Sequence, residues 1–564
     1  MGEKGDSWES CCVMVILRHA DRTCKQKISL KFNGIPPAGF PVNEDIRGSS
    51  LLDKLHEVIG KCKSECRSEM GMFLTGLRRL ESGRDDLKCK IERTEQGWAL
   101  KLKWGGNLTP LGVYQAESAG RAFKNYLSPG PIDVKAYSSG DTRCQETAGY
   151  FLKGFLEVSE FPIRSDDGPD GLGNLDDTPF RHSTVVEQLR TDIGKILMSG
   201  RPIDDEFVSN LFPDSSPQSS GRSALTELKD EFGTFASALI QLKGLVDEFV
   251  SVIESLDGSI TLYANEDVSL LLSRWLHVWR SLHRVDPARP ASPSRRWKAQ
   301  QTVSGALFST IQISLIGEIF DNSNYDFRHN AKTLNGISSN AFQTLVSIRR
   351  IVTKLSHVVT PLEYGISKQD KAFVGSTFLH PLIRKLRFDL RLSTNLPIRD
   401  EAIYLSKHEE SIDSLNPRVR LYFAHHSHVF SFISIIRSIS LPESFKCNDH
   451  VLLSIGSLGY LSQIVLNVFK HKTLLSFWRI TIDIYPGDDQ NMPDGNLNVE
   501  YMRVVEGVTS TAEEIDSFFS DILLLPSRDT RRSTPSHLLA SIGESSAETL
   551  AHFDELGERD PSLD

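Results

Sequence analysis

Five consecutive apolar residues, Val13-Met-Val-Ile-Leu17, run directly into Arg18-His-Ala-Asp-Arg22. An unbroken apolar run of this length reads as a strand buried on both faces. In open α/β sheets, ligands bind in the crevice at the carboxyl ends of such strands. This strand therefore delivers an imidazole flanked by two guanidiniums to the rim of a sheet. Arginine forks match phosphate oxygens in pairs. Histidine is nucleophilic near neutral pH and can carry a covalent phosphoryl group. The direct reading is a phosphatase that works through phosphohistidine, with His19 as nucleophile. Arg-His-x-x-Arg alone is common, and a basic strand-to-loop corner with a surface histidine would use the same residues.

The charge that follows favours an anionic ligand. From Arg18 to Lys31 there are five basic residues and one acid, a local net charge of +4 in a chain whose overall net charge is -9. The acidic balance argues against general nucleic-acid binding. The local run, with Lys25, Lys27 and Lys31, reads as a funnel that grips the remaining phosphates of a polyanion. A solvated face is the bland alternative for any charge run.

Two further strand ends carry candidate residues. Ile132 to Tyr137 reads as a strand, followed by Ser138-Ser-Gly-Asp-Thr-Arg143. An arginine opening a helix behind a small polar turn adds its charge to that of the helix N-terminus, a phosphate-binding geometry. Leu421 to Phe423 reads as another strand and Val429 to Ile436 as the helix after it, so His428 sits at a strand-to-helix junction as Arg143 does. His425, His426 and His428 together invite a zinc reading, but adjacent side chains on a strand point to opposite faces. Thr109-Pro110 has the residue types of a helix N-cap and first helical position, ahead of a helix through Ala116 to Leu127.

Apolar periodicity predicts helices over 43–86, Val185–Met198, Ala224–Leu256, Asp267–Leu282, Ser338–Leu355 and Lys368–Leu392. Trp98–Trp104, Phe477–Tyr485 and Leu497–Val504 alternate as strands, while Pro162–Pro179 and Ser209–Gly221 read as loops and Val285–Arg296 as a linker. No window holds 18 uninterrupted apolar residues, so no membrane span is expected, and the polar first residues do not form a signal peptide. The eight cysteines are then expected to be reduced, in the cytosol or nucleus. Cys62 and Cys66 sit four apart and can face one metal ion, a weak signal without a second ligand pair. Residues 537–564 hold seven acids and one arginine, the composition of a disordered acidic tail.

Arg18-His-Ala-Asp-Arg-Thr23 with Lys25-Gln-Lys27 resembles the signature of the histidine acid phosphatases, in particular the phosphatase domain of the diphosphoinositol pentakisphosphate kinases. Cys24 replaces that motif's proline. Further segments are similar to the same family: Lys103-Trp-Gly-Gly106, Leu108-Thr-Pro-Leu-Gly-Val-Tyr-Gln115, Ser138-Ser139 with Arg143, Ile319–Asn330, Pro361–Ile366, Pro381–Leu390, Arg420-Leu-Tyr-Phe423 with Ser427-His428, and Leu458–Val465, the last as a helix within 450–469. The resemblance implies an α/β phosphatase core (1–158 and 400–525) interrupted by an α-helical insertion (159–399) and followed by the tail (526–564). It implies His19 as nucleophile, with Arg18, Arg22, Arg143 and His428 around the transferred phosphate and no metal or cofactor. Its substrate would be an inositol pyrophosphate or polyphosphate, cleaved at the β-phosphate on carbon 1. The family's kinase domain precedes the phosphatase; here the motif starts at residue 18, so no kinase domain is expected ahead of it. Where the wider phosphatases have His-Asp, this chain has His428-Val429. A phosphate leaving group needs protonation far less than an alkoxide does, so Val429 favours a pyrophosphate. A broader phosphatase or phytase and a non-catalytic polyphosphate sensor are the alternatives.

Overall fold

The computed structural model describes residues 7–33, 45–46, 88–94, 97–127, 132–165, 175, 184–213, 219–283, 313–366, 373–394, 396, 418–439, 441–474, 476–487 and 499–529. Its strands are β1 (Trp8–Arg18), β2 (Gln26–Asn33), β3 (Asp45–Ile46), β4 (Lys88–Thr94), β5 (Gly97–Trp104), β6 (Asp133–Ser138), β7 (Ile163–Ser165), β8 (Arg418–Ala424), β9 (Phe445–Cys447), β10 (Gln463–His471), β11 (Trp478–Tyr485) and β12 (Met502–Thr509). They form an eight-stranded sheet, ordered β7-β6-β8-β1-β10-β11-β12-β9, and a four-stranded sheet, ordered β2-β5-β4-β3. The helices used below are α1 (Pro110–Tyr126), α2 (Thr142–Leu156), α3 (Val268–His283), α4 (Ile313–Tyr325), α5 (Ser339–Glu363), α6 (Phe373–Thr394), α7 (His426–Ser438) and α8 (Ala512–Asp529).

The unbroken apolar run of β1 has a direct cause. The strand lies inside the large sheet, parallel to β8 and antiparallel to β10. Cys12, Met14 and Ile16 enter the apolar cluster on one face with α6, α7 and α8. Val13, Val15 and Leu17 enter the cluster on the other with α1 and α2. Both pleat directions are therefore dry. α1 and α2 pack backbone to backbone: a Cβ at Gly120 would stand 2.0 Å from the Phe151 carbonyl oxygen, and one at Gly154 2.0 Å from that of Glu117.

The helices from Thr184 to Glu363 build a second apolar cluster, with Trp275 fully buried inside it. α6 differs from the sequence expectation that grouped it with them. Its Leu379, Leu382, Ile383, Leu386 and Leu390 pack on the sheet. Lys385 and Asp389, both fully buried, pair at 2.9 Å, and Asp389 accepts from the Tyr422 hydroxyl of β8 at 2.7 Å. A charge pair this deep persists only when its hydrogen bonds are satisfied, and that requirement fixes α6 on the sheet.

Other expectations shift. The helix expected over 43–86 lies outside the described residues, apart from β3. The single helix over 224–256 is two, Ser220–Phe232 and Phe235–Glu254, separated by Gly233 at φ +72°; Thr234 then caps the second by accepting from the Ser237 N–H at 3.0 Å. The helix expected over 450–469 is a short helix, Asp449–Ser454, then an irregular turn and β10. Its apolar residues are continuous because β10 is a central strand, and a short apolar run does not distinguish strand from helix. β7 falls within the expected loop 162–179, and the last strand is Met502–Thr509 rather than 497–504.

Candidate active site

Parallel strands bring three chain segments to one rim. β1 pairs with β8 and β8 with β6, all running the same way. His19 follows β1, His425 follows β8, and Ser139 leads from β6 toward α2. The His19 N–H donates to the Ala424 carbonyl at 3.2 Å and the Ser139 N–H to that of Phe423 at 3.1 Å, which holds the three exits in step. β10 runs the opposite way, so its entry reaches the same rim. There the Arg18 N–H donates to the Ser462 carbonyl at 2.9 Å.

His19 is buried, and its Nδ1 lies 2.9 Å from the Ala20 carbonyl oxygen. A carbonyl oxygen only accepts, so Nδ1 carries the proton and Nε2 keeps its lone pair. Burial holds the imidazole well below its ordinary pKa, and Arg143, Arg22, Arg18 and His425 push the same way. The ring is neutral and has a nucleophilic nitrogen at physiological pH.

Arg18 donates to the Leu458 carbonyl and lies over the Tyr460 ring, 4.6 Å from its centroid. Arg22 donates to the Thr23 carbonyl at 3.1 Å and stands 3.6 Å from Asp321 of α4. The Nε of each is buried without an acceptor among the described residues. Orphaned donors of this kind are rare in folded proteins and suit an oxyanion. Arg143, the second residue of α2, is buried and ion-paired with Asp141. Its Nη2 also lies 3.1 Å from His425 Nδ1. Arginine only donates, so His425 is neutral with its proton on Nε2, which faces Ser139 Oγ at 3.3 Å.

The structure thus gathers Arg18, His19, Arg22 and Arg143, and both His425 and His428 follow β8 into the same corner. His425, which the sequence reading left without a role, sets its ring edge toward His19 at a centroid separation of 5.8 Å. His428, on the first turn of α7, is fully buried, with its ring 6.1 Å from that of His425. Lys25 is half exposed and stands 3.4 Å from Asp141. Burial, then Arg143, lower its ammonium to about 8 against the opposing pull of Asp141. Lys27 and Lys31 lie on β2 opposite Lys103 and Ala99; their side chains are outside the described residues.

Asp21 went unread in the sequence. It is buried and accepts from Thr109 Oγ1 at 2.5 Å, Arg328 Nη1 at 3.0 Å and His329 Nε2 at 2.8 Å. Burial alone would raise its carboxyl; the bond and charge of His329, then Arg328 and Thr109, outweigh burial and hold it below the usual range. Thr109 is also the N-cap of α1, accepting from the Gly112 N–H at 2.9 Å. Arg328 and His329 come from a π-turn, Asp326–Asn330, behind α4. Asp21 therefore ties the motif loop to α1 and to the helical segment. Tyr460 was also missed; the guanidiniums of both Arg18 and Arg328 lie over its ring, that of Arg328 5.3 Å from the centroid. Among the described residues no group of three metal-ligating side chains occurs, and Cys62 and Cys66 lie outside them.

The family model of the histidine phosphatase superfamily (branch 2) matches residues 11–483. The chain belongs to this superfamily. It is 26% identical over 571 residues to the human inositol hexakisphosphate and diphosphoinositol-pentakisphosphate kinase 2, covering 87% of this chain and 43% of that protein. The Xenopus laevis protein of the same name is 25% identical over 568 residues, covering 87% of this chain and 47% of its own length. The chain thus spans less than half the length of these two relatives. Among solved structures, the phytase from Citrobacter braakii is 12% identical, with 91% of this chain and 97% of that chain covered and a TM-score of 0.37. No described helix is long and apolar enough to cross a membrane.

Proposed function

We propose that the chain removes phosphate from inositol polyphosphates through a phosphohistidine on His19, and that its preferred substrate is the terminal phosphate of a diphosphoinositol. The observation that carries this reading is a neutral imidazole whose Nδ1 proton is engaged by the Ala20 carbonyl and which stands within the field of Arg143, Arg22 and Arg18. Nε2 attacks phosphorus while the guanidiniums offset the charge that develops on the equatorial oxygens. Water then opens the phosphohistidine and restores the neutral ring. His425 fixes Arg143 through Nδ1, and His428 supports that corner from α7. Lys25, Lys27 and Lys31 meet the other ring phosphates.

The printed names of the relatives support inositol polyphosphates as the substrate class. The preference for an anhydride rests on Val429, because a leaving phosphate needs little protonation. By family resemblance the bond cleaved is that of the β-phosphate at carbon 1. The test is phosphate release from a 1-diphosphoinositol phosphate by wild type and His19→Ala, with inositol hexakisphosphate as comparison. Release from the anhydride that vanishes in the variant is expected, and an acid-labile phosphohistidine should be trapped in wild type. Full activity in His19→Ala would refute the nucleophile; equal rates on both substrates would favour a broader phosphatase.

A further inference from the structure

The position after His428 carries no acid for the leaving group. Val429 is fully buried in the apolar cluster on the sheet, so the position after His428 presents no carboxyl to the site. Asp21, Asp141 and Asp321 each set a carboxyl group against the motif loop or its arginines. Asp21 has both oxygens committed to Thr109, Arg328 and His329. Asp141 is pressed against Arg143 through Oδ2, with Lys25 at 3.4 Å and His425 Nε2 at 3.7 Å from the same oxygen. Asp21 therefore has no oxygen to spare for a leaving group, and Asp141 is already in direct contact with Arg143.

Asp321 is placed differently. It projects from α4, with a side chain 48% exposed, and its one ion pair among the described residues is with Arg22 at 3.6 Å. That separation is longer than a hydrogen bond, so the carboxyl is beside the phosphate clamp without being locked to it. Glu318 lies one turn earlier on the same helix, where residues three apart are neighbours. Burial pushes the Glu318 carboxyl up; His277, 3.6 Å away, opposes this and Asp321 adds to it. The raised Glu318 carboxyl holds its proton more readily than an ordinary glutamate, one turn from Asp321.

We propose that Asp321 is the proton donor to the leaving oxygen and that it extends the reach of the site from phosphoanhydrides to phosphomonoesters of the same polyanion. The inference rests on the phosphohistidine reading above. As the His19 Nε2–phosphorus bond forms and the phosphorus–oxygen bond breaks, the Asp321 proton passes to the departing oxygen. The resulting carboxylate then takes a proton from the water that attacks the phosphohistidine, which returns His19 and protonated Asp321. An alkoxide leaves only with that proton, whereas a phosphate leaves almost as well without it.

The test compares wild type, Asp321→Asn and Asp141→Asn on inositol hexakisphosphate, on a 1-diphosphoinositol phosphate and on p-nitrophenyl phosphate, whose phenolate leaves unaided. For Asp321→Asn the rate on the hexakisphosphate relative to each of the other two should fall by at least about 100-fold, the scale of general acid catalysis. The acid-requiring limb of the monoester pH profile should disappear with it, and Glu318→Gln should move that limb. Equal losses on all three substrates would mean that Asp321 only steadies Arg22, and would overturn the proposal. So would the same split appearing in Asp141→Asn in place of Asp321→Asn, or a wild type that cleaves the anhydride and no monoester. Wild type without turnover on any substrate and without phosphohistidine would sink the phosphatase reading itself, and this inference with it.

Discussion

Replacing Asp21 with asparagine removes one charge from the junction that holds the motif loop and leaves the shape almost unchanged. The carboxylate receives three donors, from Thr109, Arg328 and His329. Asparagine offers one acceptor oxygen and one donor nitrogen. The least damaging orientation keeps the oxygen on Arg328 and turns the amide toward Thr109, whose hydroxyl can rotate to accept. His329 then loses this acceptor, and Arg328, with a side chain only 9% exposed, keeps a hydrogen bond and loses the Asp21 charge. Breaking a buried ion pair from one side costs about 3–5 kcal/mol. Arg328 keeps the Tyr460 ring face in both forms, so that contact cancels and the expected loss stays at about 3–5 kcal/mol. Urea unfolding at pH 7 measures it. The pH dependence has a definite sign. Because the folded carboxyl is held below its usual range, the stabilisation is complete above the unfolded value, about 4, and disappears as pH falls through the folded one. The gap between wild type and variant should therefore close in acid. Arg22 is the next residue, and its displacement should lower kcat by about 100-fold. A stability gap below about 1 kcal/mol at pH 7, or one that stays constant into acid, would refute the junction.

Three other outcomes are expected. Lys25 titrates at about 8, so KM for a polyphosphate should rise above that pH, and Lys25→Ala should raise KM at pH 7 and flatten its rise, as initial rates would reveal. Asp516 of α8 accepts from Arg387 and Arg391 of α6. Burial works against its ionisation, but these bonds prevail and bring it to about 2. Asp516→Asn should cost about 1–3 kcal/mol in denaturant melts above pH 4 and progressively less toward pH 2. Gly120→Ala places a methyl against the Phe151 carbonyl, so it should separate α1 from α2, destabilise the fold by about 1–3 kcal/mol and weaken phosphate binding through Arg143, which calorimetry with inorganic phosphate can follow.

Legibility in the sequence followed the range of the interaction. β1, the α1 cap and the strand-to-helix corner at Arg143 were readable because each depends on neighbours within a few residues. The boundary at Gly233 and the strand nature of Gln463–His471 were misread for opposite reasons: a lone positive-φ glycine inside a good helical pattern is a quiet signal, and a central strand shows no alternation. Ile319–Asn330 stood out as a segment with family resemblance. Its contribution to the site, Asp321 on Arg22 and Arg328 with His329 on Asp21, spans about three hundred residues of chain and left no local mark.

Sequence alone determined the chemistry on offer at the end of β1: an imidazole, two arginines and a trail of lysines, dictated by residue identity and spacing. Tertiary structure decided which partners that imidazole meets. Three parallel strands and one antiparallel neighbour set His19 beside Arg143, His425 and Tyr460. The pleat and hydrogen-bond register fix which strand ends coincide. The same packing turned His425 toward His19, set Val429 in the core and placed α4 over Arg22. Side-chain direction at a strand end depends on the neighbouring strands and helices, and these become neighbours only when the chain folds.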